Sequence, residues 1–359
     1  MSRRVRGFLI TLATMISTAA VPGIAKAETA EGWIDSIWVD EFAGHQARIE
    51  WFFHGDDGTI ARLDATSSDI ARFRGQRVTA EVQLTAVRGG VSTATLSQIQ
   101  QVPGPRNAAA AASAGAAGPV SIGNRRWISV LCRFADSTGT PAHDIDHFSA
   151  MYENEPHRLP EFWREASYGK LAVTGTAVGW YTLPKTKAEY GWSAYPARDY
   201  AGLFGDCTQA ADADVDFSQY DGINLFFEDG DERSFGGTWS ATLDGVTRLW
   251  PVAWLTSSSR LLVVAHEMGH GLGLPHSNNS DRDNDAYDSP WDLMSMPASW
   301  CPTPGCENGE CYDVAVGELP QQTIGYHRQL LGWLPGAAVA RVDPATPASV
   351  TLAGVVAAT

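Results

Sequence analysis

Three histidines and one glutamate fall within eleven residues in the segment His266-Glu267-Met268-Gly269-His270-Gly271-Leu272-Gly273-Leu274-Pro275-His276. The apolar run Arg260-Leu261-Leu262-Val263-Val264-Ala265 leads straight into it and predicts a buried helix. On such a helix His266 and His270, four apart, project from one face and can reach one ion. Glu267 lies one position beyond the first of them, which suits a carboxylate serving as general base toward a water beside the metal. Gly271 and Gly273 let the backbone leave helical angles, and Pro275 prevents the helix from resuming. The chain can then fold back and bring in His276 as a third ligand. Three neutral nitrogens with the fourth position left to water are the pattern of a catalytic zinc rather than a structural one.

The segment His266 to His276 fits the HExxHxxGxxH signature and so resembles the metzincin zinc peptidases, with Gly273 in place. Downstream, Trp291-Asp292-Leu293-Met294-Ser295-Met296 looks like the Met-turn of that clan. Met294 is the residue identified with it, because Asp-Leu-Met-Ser resembles the turn of immune inhibitor A-type bacterial peptidases; Met296 is the alternative. Three other stretches, Glu165 to Leu171, Gly179 to Pro184 and His327 to Leu334, are similar to that family and to the gametolysin group. The resemblance covers roughly residues 125 to 335. It implies an α/β (α+β) metzincin-like catalytic domain and hydrolysis of peptide bonds in extracellular proteins, with Glu267 moving the proton. Some metzincins carry a Tyr two residues after the Met that can touch zinc; Met296 stands there, so no fifth protein ligand is expected. An extended substrate would pair with an edge strand above the metal. The competing reading is an extracellular adhesion or binding protein that keeps a zinc-stabilised, non-catalytic scaffold, and the intact Glu267 speaks against it.

Asp281, Asp283, Asp285 and Asp288, with Asp292 beyond, alternate oxygen ligands as calcium loops do. The stretch lacks the Gly and the Glu of an EF-hand loop at their positions, and a solvated loop whose acids cap turns is the rival account. Calcium is thus a second candidate cofactor beside zinc. Of the five cysteines, Cys301, Cys306 and Cys311 form a cluster that reads as a stapled loop, since it lacks the CxxC spacing of a second zinc site. An odd count leaves one thiol free or partnered elsewhere, and the pairing stays open.

The elements around the motif divide the chain. Residues 1–27 carry Arg3, Arg4 and Arg6, an apolar stretch from Phe8 to Val21, and Ala25-Lys26-Ala27, which together predict a signal peptide and a secreted protein. Residues 28–102 contain no cysteine and read as short strands over Gly32–Val39, Ala47–Phe53, Arg77–Leu84 and Val91–Ile99. Their spacing predicts a small all-β unit, an OB-like barrel, acting as a propeptide that occupies the active site or as an accessory module. Lacking cysteine, it cannot inhibit by placing a thiolate on zinc. Residues 103–120 are a linker by their Ala, Gly and Pro content. Residues 121–335 form the peptidase domain, with strands at Arg126–Phe134 and Ile223–Phe227, helices over Asp146–Ser167 and Tyr195–Ala213, and a β-like segment following at 336–359.

The formal charge is −15, and without the first 27 residues, which hold four basic side chains and no acid, it is −15 − 4 = −19. That balance argues against a nucleic-acid partner. Beyond residue 27 no segment is apolar for long enough to span a membrane. A protein or peptide substrate is the expected partner.

Overall fold

The computed structural model describes residues 27–64, 70–88, 91–102, 121–194, 198–228, 233–279, 285–289, 291–295 and 321–339. Its N-terminal part is five strands: β1 (Glu28–Glu41), β2 (Gln46–Gly55), β3 (Ile60–Leu63), β4 (Gln76–Arg88) and β5 (Val91–Gln101). Their pairings run β2-β3-β5-β4-β1, and β1 also pairs β2, so the ring closes into a barrel. β3 and β5 are parallel and the other pairs antiparallel. Ile34, Trp51, Phe53, Ala61, Leu63, Val78 and Ala94 fill it. Where β1 touches two neighbours at once the backbones crowd: a Cβ on Gly32 would lie 2.2 Å from the His54 carbonyl oxygen. Only glycine fits there. The four predicted strands lie within β1, β2, β4 and β5; the four-residue β3 was too short to leave a periodic signal.

The second part carries β6 (Gly123–Arg133), β7 (Leu171–Thr182), β8 (Gly222–Phe227), β9 (Arg233–Leu243) and β10 (Val246–Thr256). They lie in the order β9-β10-β8-β6-β7, parallel except for β9. β9 and β10 were absent from the sequence expectation. They form a hairpin whose turn, Asp244-Gly245, takes positive φ at both residues (47° and 73°). An Asp-Gly pair between apolar runs is a strong hairpin signal, so these strands were legible in principle.

Both faces of this sheet are buried, as parallel strands require. Alternation sorts the side chains. Trp127, Leu131, Phe226, Ala253 and Leu255 face one core. Ile128, Val130, Cys132, Leu225, Phe227 and Trp254 face the other. Helices α1 (Ile145–Ala150), α2 (Leu159–Ala166) and α4 (Leu261–Gly271) cover the first face, and α3 (Tyr200–Ala211) the second. A disulfide between Cys132 on β6 and Cys207 on α3 ties sheet to helix on that second face. The expected single helix over Asp146–Ser167 is two helices. Pro156 drives the residue before it out of helical angles, and Pro160 opens α2 in its first turn, where no amide partner is lost. The expected helix at Tyr195–Ala213 begins at Tyr200, because Asp199 caps it, accepting from the Gly202 amide at 2.8 Å. The fold is therefore mixed α+β and dominated by its sheet.

The two parts share that sheet. The C-terminal half of β1 pairs antiparallel with β9, Ile37 opposite Gly237 through Glu41 opposite Arg233. The seam is pinned at both ends: Arg233 meets Glu41 at 3.3 Å, and the Ser240 amide donates to the Asp35 carboxylate at 2.6 Å. Among the described residues no helix is long and apolar enough to cross a membrane.

Candidate metal centre

Helix α4 is apolar on nearly every side and packed between sheet and core, so whatever polar groups it carries must find partners inside. His266 and His270 are both fully buried on it. Their Nε2 atoms lie 3.1 Å apart, and the Nε2 of His276 lies 3.1 Å from that of His270. The other ring nitrogens of the two helical histidines are spoken for: His266 Nδ1 donates to the Leu293 carbonyl and His270 Nδ1 to the Leu274 carbonyl, each at 2.8 Å, whereas His276 Nδ1 has no hydrogen-bond partner among the described residues. Those bonds fix the tautomer and leave a lone pair on each Nε2. Facing lone pairs repel unless a cation lies between them. Tetrahedral ligands at the usual metal–nitrogen length sit about 3.3 Å apart, close to what is found. The donor set fits a metal ion.

The chain beyond α4 brings His276 round as the glycine spacing predicts. Gly273 has φ of 100°, a region that side-chain-bearing residues rarely enter. The turn it makes also presents the Leu274 carbonyl to His270, so one glycine places a ligand and steadies another. Gly273→Ala should strain this turn by about 1–3 kcal/mol. We expect metal affinity to fall and the melting temperature to drop, both followed by titration with metal and calorimetry; unchanged affinity would show that His276 reaches the site without the turn.

Met294, taken by resemblance as the Met-turn residue, lies beside the helix. A Cβ on Gly269 would lie 2.5 Å from Met294 Sδ, so the methionine packs directly against the helix between the two histidine turns. Its neighbour Leu293 supplies the carbonyl that His266 uses. That turn is held from behind by the outlying acid of the stretch read as a calcium loop. Asp292, fully buried, contacts His327 of α5 (Gly325–Leu330) at 2.7 Å and accepts from the Ile324 amide at 3.2 Å. Arg328 then ties α5 to Thr323 and to the Tyr168 hydroxyl at 3.0 and 2.6 Å.

A fourth ligand-type group enters from outside the motif. Asp40, on β1, is fully buried among the histidines, and with them forms a set whose donor atoms lie within 4.8 Å of one another. Its Oδ1 is 2.5 Å from His276 Nε2 and 3.7 Å from His266 Nε2, and its Oδ2 is 3.3 Å from His270 Nε2. Burial alone would raise this carboxyl, but the histidines prevail and hold it well below the ordinary range. Tyr287 donates to Asp40 Oδ1 at 2.6 Å, and burial followed by the Asp40 charge pushes its phenol upward. Burial lowers His270 to about 3, leaving it neutral and ready to ligate. Sequence reasoning missed Asp40 and Tyr287 because nothing in their local spacing links them to residue 266.

Glu267 is fully buried as well, and neither carboxylate oxygen has a hydrogen-bond partner among the described residues. Burial first, and then the Asp40 charge, pushes its carboxyl well above the ordinary value. The side chain lies over β9: a Cβ on Gly236 would be 2.7 Å from Glu267 Oε2 and 2.4 Å from its backbone oxygen. Gly236 lets the helix and β9 close to that distance.

Of the calcium candidates, Asp281 and Asp283 lie outside the described residues. Asp285 accepts from the Tyr287 amide and Asp288 from that of Asn279, which are turn-capping roles. Met296, the cysteine cluster, the linker, most of the signal-peptide stretch and the chain beyond residue 339 also lie outside them. Comparison with protein-family models finds no match, and no curated protein matches the chain.

Proposed function

We propose that this chain is a secreted zinc-dependent endopeptidase of metzincin type, resembling the immune inhibitor A peptidases. The observation that carries the reading is a triad of converging imidazole nitrogens beside a buried, unpartnered glutamate, both next to one sheet strand. A structural metal site has no use for a bare carboxylate at its side, which costs stability. A hydrolytic one does.

Zinc, when bound by His266, His270 and His276, supplies Lewis-acid polarisation of a carbonyl and makes a nearby water easier to deprotonate. Glu267 takes the proton from the attacking water. It then returns that proton to the leaving amine. An extended peptide would reach Glu267 where Gly236 of β9 packs against it. Met294 and the Leu293 carbonyl keep the first histidine aimed. The closed ring of five strands with β3 parallel to β5 supports an OB-like reading of the N-terminal unit.

The test is a proteome-derived peptide library incubated with the zinc-loaded protein, intact and after limited proteolysis, with and without a chelator, and read by mass spectrometry. We expect chelator-sensitive cleavage within peptides, not only from their ends. If neither form cleaves above the chelated control, the peptidase reading fails and the adhesion reading takes its place.

A further inference from the structure

Leu293, Met294 and Ser295, consecutive in the chain, each hold a different part of the site. The Leu293 carbonyl steadies His266. The Met294 carbonyl accepts from the Ser277 amide at 3.2 Å, which fixes the chain as it leaves His276. Ser295, buried, donates its hydroxyl to the Tyr287 carbonyl at 2.6 Å. The Tyr287 backbone is held from the other side as well, its amide donating to Asp285 at 2.8 Å. The Tyr287 ring is buried beside Phe42 and His276, with centroids 5.9 and 5.1 Å away. A buried phenol needs a partner, and this one has two acceptors, Asp40 Oδ1 at 2.6 Å and the Gln46 carbonyl at 3.2 Å. The nearer of them is itself 2.5 Å from His276 Nε2 and 3.7 Å from His266 Nε2. The phenol is therefore aimed at a place where a negatively charged oxygen stands beside the histidine nitrogens.

We infer that Tyr287 is a catalytic residue: its hydroxyl donates to the substrate carbonyl oxygen as that oxygen becomes an anion. The inference rests on the peptidase reading, which supplies the reaction. As water adds, its oxygen bonds to the carbonyl carbon, one of its protons passes to Glu267, and the π electrons of the carbonyl move onto the carbonyl oxygen. The Tyr287 hydroxyl keeps its own proton and strengthens its hydrogen bond to that oxygen. Collapse restores the carbonyl and breaks the C–N bond, and the amine leaves with the proton that Glu267 held. Asp40 Oδ1 marks the place, and a substrate oxygen that comes there meets the same donor. Such a donor needs no rearrangement at the moment of reaction, because Ser295, Asp285 and the ring packing hold it before the charge appears. Two residues then divide the work: Glu267 moves the proton and Tyr287 stabilises the charge.

The experiment compares the zinc-loaded full-length chain as wild type and Tyr287→Phe, intact and after limited proteolysis, each checked for melting temperature and metal content. Two inhibitors are titrated by calorimetry. One is a peptide phosphinate, whose tetrahedral anionic oxygens mimic the attacked carbonyl; the other is a peptide thiol of the same sequence, which approaches the metal through sulfur. We expect Tyr287→Phe to bind the phosphinate about 10²- to 10³-fold more weakly and the thiol as wild type does. In the form that cleaves peptides, kcat should fall by a similar factor while KM holds. Ser295→Ala, which releases the Tyr287 carbonyl and leaves the phenol in place, should show a smaller loss with the same preference, and it carries the test if Tyr287→Phe unfolds the chain. Equal weakening of both inhibitors, or of neither, would overturn the inference and reduce Tyr287 to a prop for Asp40. Cleavage by wild type with kcat unchanged in Tyr287→Phe would overturn it too, leaving the peptidase reading in place. Selective loss of phosphinate binding in a chain that cleaves nothing in either form would uphold the hydrogen bond and sink the peptidase reading instead.

Discussion

On the peptidase reading proposed above, exchanging Glu267 for Gln should lower peptide cleavage by about 10²- to 10⁴-fold while metal content stays at that of wild type. The substitution keeps the side chain's size, so the close packing of α4 against Gly236 survives, and it removes only the ability to accept a proton. Steady-state cleavage assays, paired with elemental analysis, check both halves. A loss smaller than tenfold would assign the proton transfer to another group. The same exchange carries a stability signature. A buried carboxyl whose folded pKa is raised disfavours the folded state once pH climbs above its unfolded value, and the cost disappears below that value. The Gln variant of the metal-free protein should therefore melt higher at neutral pH, by roughly 2–4 °C for each kcal/mol recovered. That advantage should fade as the solution is acidified through the ordinary Glu range.

Removing the metal should have the second large effect. Inside the fold, His266, His270, His276 and Asp40 are four buried groups whose donor atoms point at one another. An ion at a thousandfold excess over its dissociation constant stabilises the folded state by about 4 kcal/mol. For a chain of this size that corresponds to a melting point on the order of 10 °C higher than in chelator. Differential scanning calorimetry in zinc, in chelator and after zinc is restored measures it directly. Were the curves to coincide, the cluster would be a set of ordinary buried histidines held by Asp40 alone.

The histidine motif was legible because its logic is local. Helical spacing places His266 and His270, Gly273 makes the turn, and all of it lies within eleven residues. Met294 was legible by resemblance, eighteen residues on from His276. Asp40 was not, because a β-strand residue acquires meaning only from the strand it pairs with, and β1 finds β9 through tertiary register. Tyr287 was hidden for the same reason: its partner Asp40 lies 247 positions away. The helix over Asp146–Ser167 was overextended although Pro156 was in view, since helical periodicity on both sides of it outweighed a single breaker. The hairpin of β9 and β10 went unread despite its Asp-Gly turn, because β10 carries Pro251 and runs buried on both faces, without the alternation that marks a strand.

The pairing of Ile37 with Gly237 also bears on how the molecule is built in time. All five barrel strands come from residues 28–101, so that unit can close from contacts within a short length of chain. The β1–β9 seam joins residues 200 positions apart and must wait until β9 exists. Contacts of such separation slow folding, and a vectorially made chain folds its early part first. The barrel is then in place before the second half of the chain, with the outer edge of β1 presented as a template. β9 is paired as soon as it forms and never spends time as an open strand edge, the kind that invites aggregation.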